Sequence, residues 1–255
     1  MEHLTAGNDV VIKVEGMEAR YGEITILRDI SFEVRRGEIF VILGGSGCGK
    51  STLLKHLFGL YRPYRGNILV EGKDLAKIDD DELVEIRKGF GVLFQSGALL
   101  ASMTLAENVA LPIQEHTDLP LELVDLLVRV KLNMVNLSGF EDYQPAELSG
   151  GMKKRAGLAR AMALDPTILF FDEPSAGLDP VTSAELDQLI LQINRSLHTT
   201  MVIVTHELPS ILTIAHRVIM LDGKEKTIIA QGAPRDLKEQ SADPRVRKFF
   251  NREAG

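Results

Sequence analysis

The apolar run Ile39-Phe40-Val41-Ile42-Leu43 leads straight into Gly44-Gly45-Ser46-Gly47-Cys48-Gly49-Lys50-Ser51, and that stretch into Thr52-Leu53-Leu54-Lys55-His56-Leu57-Phe58. The central eight residues fit the spacing G-x-x-x-x-G-K-[ST], with strand before and helix after, the context that this spacing requires. Few features constrain a chain more, because a strand, a phosphate-sized loop and a helix must follow one another in an α/β core. The chemistry is anion capture. Glycines let successive backbone N–H groups point into one concavity, and the helix beginning near Gly49 adds unpaired N–H groups and the positive end of its dipole. Lys50 brings a compact charge that can reach the β and γ phosphates of a nucleotide, and the Ser51 hydroxyl is short enough to ligate a bridging Mg²⁺. Residues Gly44 to Thr52 are the expected phosphate-binding set. Only the backbone N–H of Cys48 need matter there, but its side chain is expected among the phosphate-binding amides, where a bulky adduct would obstruct the nucleotide.

Five further places carry chemistry. Thr167-Ile168-Leu169-Phe170-Phe171 is apolar throughout, as in a central parallel strand covered on both faces, and it ends in Asp172-Glu173. Carboxylates belong at the carboxyl ends of such strands, where open α/β sheets bind ligands. Asp172 can hold Mg²⁺, and Glu173 is positioned to polarise or deprotonate an attacking water. Phe90-Gly91-Val92-Leu93-Phe94 delivers Gln95 to a loop, where an amide could ligate Mg²⁺ and orient water. Met201-Val202-Ile203-Val204-Thr205 ends at His206, the one histidine of six at a strand's carboxyl end; His3, His56, His116, His198 and His216 read as surface or packing residues. Tyr21, beside Gly22, is a ring on a turn, free to stack on a flat ligand. Finally, Leu148-Ser149-Gly150-Gly151 opens the helical stretch Met152 to Leu164 with Ser149 as its N-cap. Its exposed N–H groups make a second anion site, when one nucleotide needs only one.

The rest of the chain reads as strands at Val10–Val14, Ile24–Leu27, Ile30–Val34 and Gly66–Gly72, then a charged helix from Asp79 to Arg87. From Met103 to Phe140 helical signals dominate: Thr104-Leu105-Ala106-Glu107 has the capping-box pattern, and Leu121, Val124, Leu127 and Val128 share a face. Leu186, Leu189, Ile190, Ile193 and Leu197 form a helical stripe. Val218–Leu221 and Thr227–Ala230 flank Asp222-Gly223 as a hairpin. Residues 1–7 read as a loose end, and residues 233–255 as a charged, partly helical tail. The net charge of −7 with scattered Lys and Arg lacks the electrostatic footprint of a nucleic-acid binder. A single cysteine and no signal-peptide pattern point to the reducing cytosol. No apolar stretch approaches the roughly 20 residues that span a bilayer.

In order along the chain, the phosphate loop, the Gln95 loop, Leu148-Ser149-Gly150-Gly151, the Asp172-Glu173 strand, Ser175 to Asp179 and His206 resemble the nucleotide-binding subunit of ABC transporters, from about Val10 to Gly232. The resemblance implies a P-loop NTPase (RecA-like) α/β core with an N-terminal antiparallel β subdomain and an inserted α-helical subdomain. The core with its β subdomain would take residues 1–95 and 146–232, the helical subdomain 96–145 would dock a permease, and 233–255 would form a tail. It implies an ATPase using ATP and Mg²⁺, and a head-to-tail homodimer in which Ser149, Gly150 and Gly151 of one copy cap the ATP on the phosphate loop of the other. It further implies that Tyr21 stacks on adenine, Gln95 senses Mg²⁺ and the membrane partner, Asp179 communicates across the dimer, and His206 contacts the γ phosphate.

Phe94-Gln95-Ser96-Gly97-Ala98-Leu99-Leu100, Glu107 to Pro112, and Gly151-Met152-Lys153-Lys154-Arg155 are similar to the ATPases of MCE-type (Mla-like) transporters, and residues 241–249 to the start of that group's tail. That similarity implies phospholipid transport between the inner and outer membranes, integral-membrane permease subunits, a periplasmic MCE lipid-binding protein and a small cytoplasmic accessory subunit. The place of action would be the cytoplasmic face of the bacterial inner membrane. The alternatives are an ABC ATPase for another transported substrate, or a soluble one acting on nucleic acid or ribosomes. The latter would favour a basic surface or a coiled-coil insertion. A P-loop GTPase would need an Asn-Lys-x-Asp segment, which is missing.

Overall fold

Two sheets build the molecule, and a computed structural model describes residues 9–251 of it. The expected loose N-terminal segment, with His3, lies outside the described residues. The first sheet is antiparallel. Strands β1 (Val10–Tyr21) and β2 (Ile24–Arg35) form a hairpin, β1 also pairs with β4 (Arg65–Val70), and β4 pairs with the short β5 (Lys73–Asp74). Where the sequence pattern breaks the N-terminal region into short strands, the chain makes two long ones with register shifts, one between Val14 and Met17. A bulge bends a strand without ending it, so the alternation seen in sequence slips while the pairing continues.

The second sheet holds β3 (Ile39–Gly44), β6 (Phe90–Leu93), β7 (Ile168–Asp172), β8 (Thr200–Val204), β9 (Arg217–Asp222) and β10 (Thr227–Gly232), in the order β10-β9-β3-β8-β7-β6. All pairings are parallel except β9 with β10. Every residue of β3 and β8 is buried. Alternate side chains go to opposite faces. Ile39, Val41, Leu43, Leu169 and Phe171 enter one core with the helices, while Phe40, Ile42, Ile168, Phe170, Val202 and Val204 enter another with the antiparallel sheet. The second core also takes the apolar side of α1 (Lys50–Leu57), and α2 (Asp80–Lys88) packs at its edge through Leu83.

Between β6 and α5 (Gly150–Ala161) come α3 (Leu105–His116), α4 (Leu121–Met134) and one 3₁₀ turn, Pro145–Glu147. The Thr104 capping box closes α3: its hydroxyl accepts from the Glu107 N–H at 3.2 Å, and the Glu107 carboxylate accepts from the Thr104 N–H at 2.7 Å. The fully buried Asn108 secures the preceding loop, donating to the carbonyls of Leu100, Met103 and Thr104 and accepting from the Leu100 N–H. Helices α6 (Pro180–Leu197) and α7 (Leu208–Ile214) complete the cover of the parallel sheet, α6 through Leu186, Leu189, Ile190 and Ile193, while Leu197, expected on the same stripe, is exposed at the helix end.

Two regions differ from the sequence pattern. The β9–β10 connection spans Gly223 to Lys226 instead of turning on a dipeptide, because the Asp222 carboxylate accepts from the N–H groups of Lys224 and Glu225 at 2.9 and 2.7 Å. A side chain that satisfies turn donors stabilises the longer loop. The charged tail is also more integrated than its composition suggests. It forms α8 (Pro234–Gln240) and α9 (Pro244–Asn251), and α9 buries Val246 and Phe250 in the helical core.

Candidate nucleotide site

The register of the parallel sheet brings distant residues level. Val204 of β8 lies opposite Ile42 on one side and Asp172 on the other, so β3, β8 and β7 finish together. Their carboxyl ends open on a cleft of about 770 Å³ lined by Tyr21, Gly44, Gly45, Ser46, Gly47, Gly49, Lys50, Ser51, Thr52, Gln95, Glu173 and His206. These are the residues singled out from sequence, drawn from the ends of β1, β3, β6, β7 and β8. Tyr21 closes β1, is 47% exposed and lies 6.1 Å from Tyr61 with the two rings perpendicular, so part of its ring surface is open to a flat ligand.

Glycine is required in the loop for a steric reason. At Gly44, with φ +150°, a Cβ would lie 2.6 Å from both the Leu221 carbonyl oxygen and the Cys48 sulfur. Gly49 precedes α1 in the left-handed region with φ 100° and no side-chain cap, so the first N–H groups of the helix stay free for an anion. Lys50 is 8% exposed; its Nζ donates to the carbonyls of Gly44 at 3.0 Å and Gly45 at 3.2 Å, and lies 3.7 Å from Glu173 Oε1. The ammonium is thus folded against its own loop.

Glu173 combines two constraints. It sits at φ 48°, an uncommon conformation for a non-glycine residue, with its N–H donating to the Val204 carbonyl at 2.9 Å. Backbone strain of this kind concentrates at sites of function. Its carboxylate accepts from His206 Nδ1, which lies 3.0 and 2.9 Å from the two oxygens. A carboxylate in that position can take a proton from a water, and the imidazole can hold its orientation. Asp172 does not line the cleft directly. It accepts from Ser51 Oγ at 2.9 Å, which joins the phosphate loop to β7. A hydroxyl and a carboxylate so paired suit a hard divalent cation that keeps phosphate and water oxygens. Among the described residues no group of three or more His, Cys, Asp or Glu could hold a metal ion. A cation here would therefore need Ser51, Asp172, Gln95 and the phosphates together.

Cys48 departs from expectation in its exposure, while its thiol does lie against the backbone N–H of Lys50 in the loop. It is 3% exposed, its side chain belongs to the core shared with the antiparallel sheet, and its N–H turns to the Gly45 carbonyl at 3.4 Å. Burial pushes the thiol pKa up, against the pull of Lys50. Since the thiolate is the reactive form, maleimide is expected to modify the folded protein slowly, and saturating MgATP to change the rate little. Mass spectrometry of timed reactions, with urea-unfolded protein as reference, measures this. Fast, complete labelling of the folded protein that MgATP prevents would restore the thiol to the cleft.

Ser149, Gly150 and Gly151 are not at this cleft. Ser149 caps α5, accepting from the Met152 N–H at 3.3 Å. Beside that helix start lies Asp179, which caps α6 through Val181 and Thr182. A Cβ on Gly151 would come 2.5 Å from Thr182 Cγ2, so glycine allows the two helix starts to abut.

Residues 27–176 match the family described as ABC transporter. The chain belongs to the ABC transporter family. Over 242 residues this ABC ATPase is 46% identical to the Mycobacterium leprae protein named "Probable ribonucleotide transport ATP-binding protein mkl", covering 95% of this chain and 69% of that one. It is 42% identical to the "Intermembrane phospholipid transport system ATP-binding protein MlaF" of Haemophilus influenzae, over 97% of this chain and 92% of the other. With the protein of the same name from Escherichia coli K12 the identity is 44%, over 90% and 84%. A post-hydrolysis dimer of the ATP-binding cassette MJ0796, bound to ADP and Pi, superposes with a TM-score of 0.78 at 29% identity, covering 87% of this chain and 98% of that one. The structure of cbiO1 from Clostridium perfringens gives 0.83 at 29% identity, over 96% of both chains.

The cleft of this ABC ATPase also has walls that sequence reasoning passed over, Ile26 and Phe249. Phe249 rides on α9, and the spacing of Val246, Phe249 and Phe250 at i, i+3 and i+4 is the amphipathic signal that could have found it. Lys154, one turn into α5, was also passed over; it is 5% exposed and donates to the backbone carbonyls of Gln95 and, at 3.3 Å, Glu173.

Proposed function

We propose that this ATPase works as a homodimer on the cytoplasmic face of a bacterial inner membrane and powers phospholipid transport between the inner and outer membranes. The observation that carries the catalytic part is the meeting of the phosphate loop, Gln95, Glu173 and His206 in one cleft, while Ser149, Gly150 and Gly151 start a helix elsewhere. In this reading the ring of Tyr21 stacks on adenine, and the N–H groups of residues 44–52 and the Lys50 ammonium receive the phosphates. Ser51, Gln95 and Asp172 would hold Mg²⁺, which when bound neutralises phosphate charge. Glu173 accepts the proton of the attacking water, His206 keeps its carboxylate oriented and contacts the γ phosphate, and Asp179 communicates across the dimer.

The phospholipid substrate draws its support from the relatives named MlaF, matched over most of both chains. The relatives named for ribonucleotide transport favour a second reading, in which the same engine serves another substrate. Analysis of the lipids and nucleotides that co-purify with the membrane complex separates the two. No helix among the described residues is long and apolar enough to cross a membrane. In this reading a permease supplies the path and docks on residues 96–145, with a periplasmic MCE protein and a small accessory subunit as further components.

Dimerisation tests the composite site. Glu173→Gln protein should retain MgATP and dimerise, because ATP touching both copies favours the dimer by mass action. Adding Ser149→Arg puts a bulky cation at the facing helix start and should abolish the dimer while nucleotide still binds. The measurement is light scattering with MgATP. A double mutant that dimerises as readily as the single one defeats the composite site.

A further inference from the structure

Helix α5 carries Lys154, Gly157 and Arg160 at i, i+3 and i+6, on one face. That face grips the backbone after β6. The Arg160 guanidinium donates to the carbonyls of Gly97 at 3.1 Å and Ala98 at 2.7 Å. At Gly157 a Cβ would stand 2.9 Å from the Gly97 carbonyl oxygen and 2.9 Å from Leu93 Cδ1, so the loop lies directly on the helix. One turn nearer the helix start, Lys154 Nζ donates to the Gln95 carbonyl and, at 3.3 Å, to that of Glu173. Of the three residues only Lys154 joins both strand ends.

Burying an ammonium is costly unless its donors are used. Burial lowers the pKa of Lys154, while the charges of Glu173 and Asp172 oppose that shift. The cost goes into fixing two peptide groups whose side chains line the cleft. One belongs to Glu173, held in the left-handed conformation, and the other to Gln95. An apolar side chain of equal length would fill the space, leave the Gln95 carbonyl without its donor, and leave the Glu173 carbonyl with the Ala176 N–H alone at 3.1 Å.

We infer that Lys154 is a positioning residue for ATP hydrolysis: it registers the backbone of Gln95 and Glu173 to helix α5, and so to Ser149 at the start of that helix. The inference rests on the site reading above. It makes α5 a strut with the Ser149 end toward one nucleotide and the Lys154 contacts toward the other.

The test uses the full chain with Lys154→Met, which keeps the stem and removes the donors, and Lys154→Arg, which keeps a charge with donors. In Lys154→Met, kcat should fall about 10- to 100-fold, the scale expected when catalytic groups shift by about 1 Å. KM for ATP and the affinity for a fluorescent ATP analogue should stay within about twofold, and Lys154→Arg should recover most of kcat. A residue that only fills space would leave Lys154→Met at the wild-type kcat, and a merely structural one would lower affinity and kcat together; either result overturns the inference. If Lys154→Met does not fold, Lys154→Gln gives the same readouts with one donor group retained. Glu173→Gln runs alongside. If it is inactive while Lys154→Met is unimpaired, only the Lys154 inference falls, whereas wild-type turnover in Glu173→Gln brings down the site reading and this inference with it.

Discussion

Glu173→Gln should lower the rate of ATP hydrolysis by about 10²- to 10⁴-fold while ATP still binds, the range for loss of a positioned general base. The substitution keeps size and shape, so the backbone contacts that hold residue 173, its N–H on the Val204 carbonyl and its carbonyl near Lys154, need not change. What it removes is the carboxylate that accepts a hydrogen bond from His206 Nδ1 and stands 3.7 Å from Lys50. An amide can still meet the imidazole but cannot accept a proton from water at neutral pH. Single-turnover hydrolysis of radiolabelled ATP, with nucleotide affinity measured separately, isolates this step. A mutant that turns over at the wild-type rate would show that another group handles the proton.

Lys50→Ala should weaken ATP binding and lower turnover together, each by about 10-fold or more, as expected when a hydrogen-bonding charge worth about 1.5–3 kcal/mol is lost. Two effects add. The phosphates lose a charge that meets them in ground state and transition state alike, so affinity and kcat/KM decline together. The loop loses its own tie as well, because the ammonium donates to the carbonyls of Gly44 and Gly45. Isothermal titration with a non-hydrolysable ATP analogue reads the first effect, and steady-state hydrolysis reads the second. Unchanged affinity would mean that Lys50 serves the loop and not the nucleotide.

The phosphate loop, the apolar strand into Asp172-Glu173 and the cap at Ser149 were legible in sequence for a local reason. Each is a short, contiguous segment whose backbone geometry and chemistry are set by its own residues: glycine where a Cβ would collide, an apolar run where both faces are covered, a hydroxyl where a helix begins. The same locality exposed the Thr104 capping box and the stripe of α6. Where the outcome depended on pairing, the pattern was less informative. The bulges of β1 displaced the alternation and made one long strand look like a short one, and the Asp222 side chain lengthened a turn that a dipeptide suggested.

Sequence alone therefore determined which residues could bind phosphate, cation and water, because those capacities reside in side-chain type and local backbone. Only the tertiary structure decided where their side chains go and what holds them. The two-sided sheet turned Cys48 into a core, since a loop residue beside Gly44 packs against whichever face of the sheet is nearest, and nothing within the loop specifies that face. The same long-range packing brought α9 to the cleft with Phe249 and set Lys154 beneath Gln95 and Glu173. These contacts join segments far apart in the chain, and their free energy comes from burial and hydrogen bonding between elements, which no local pattern records.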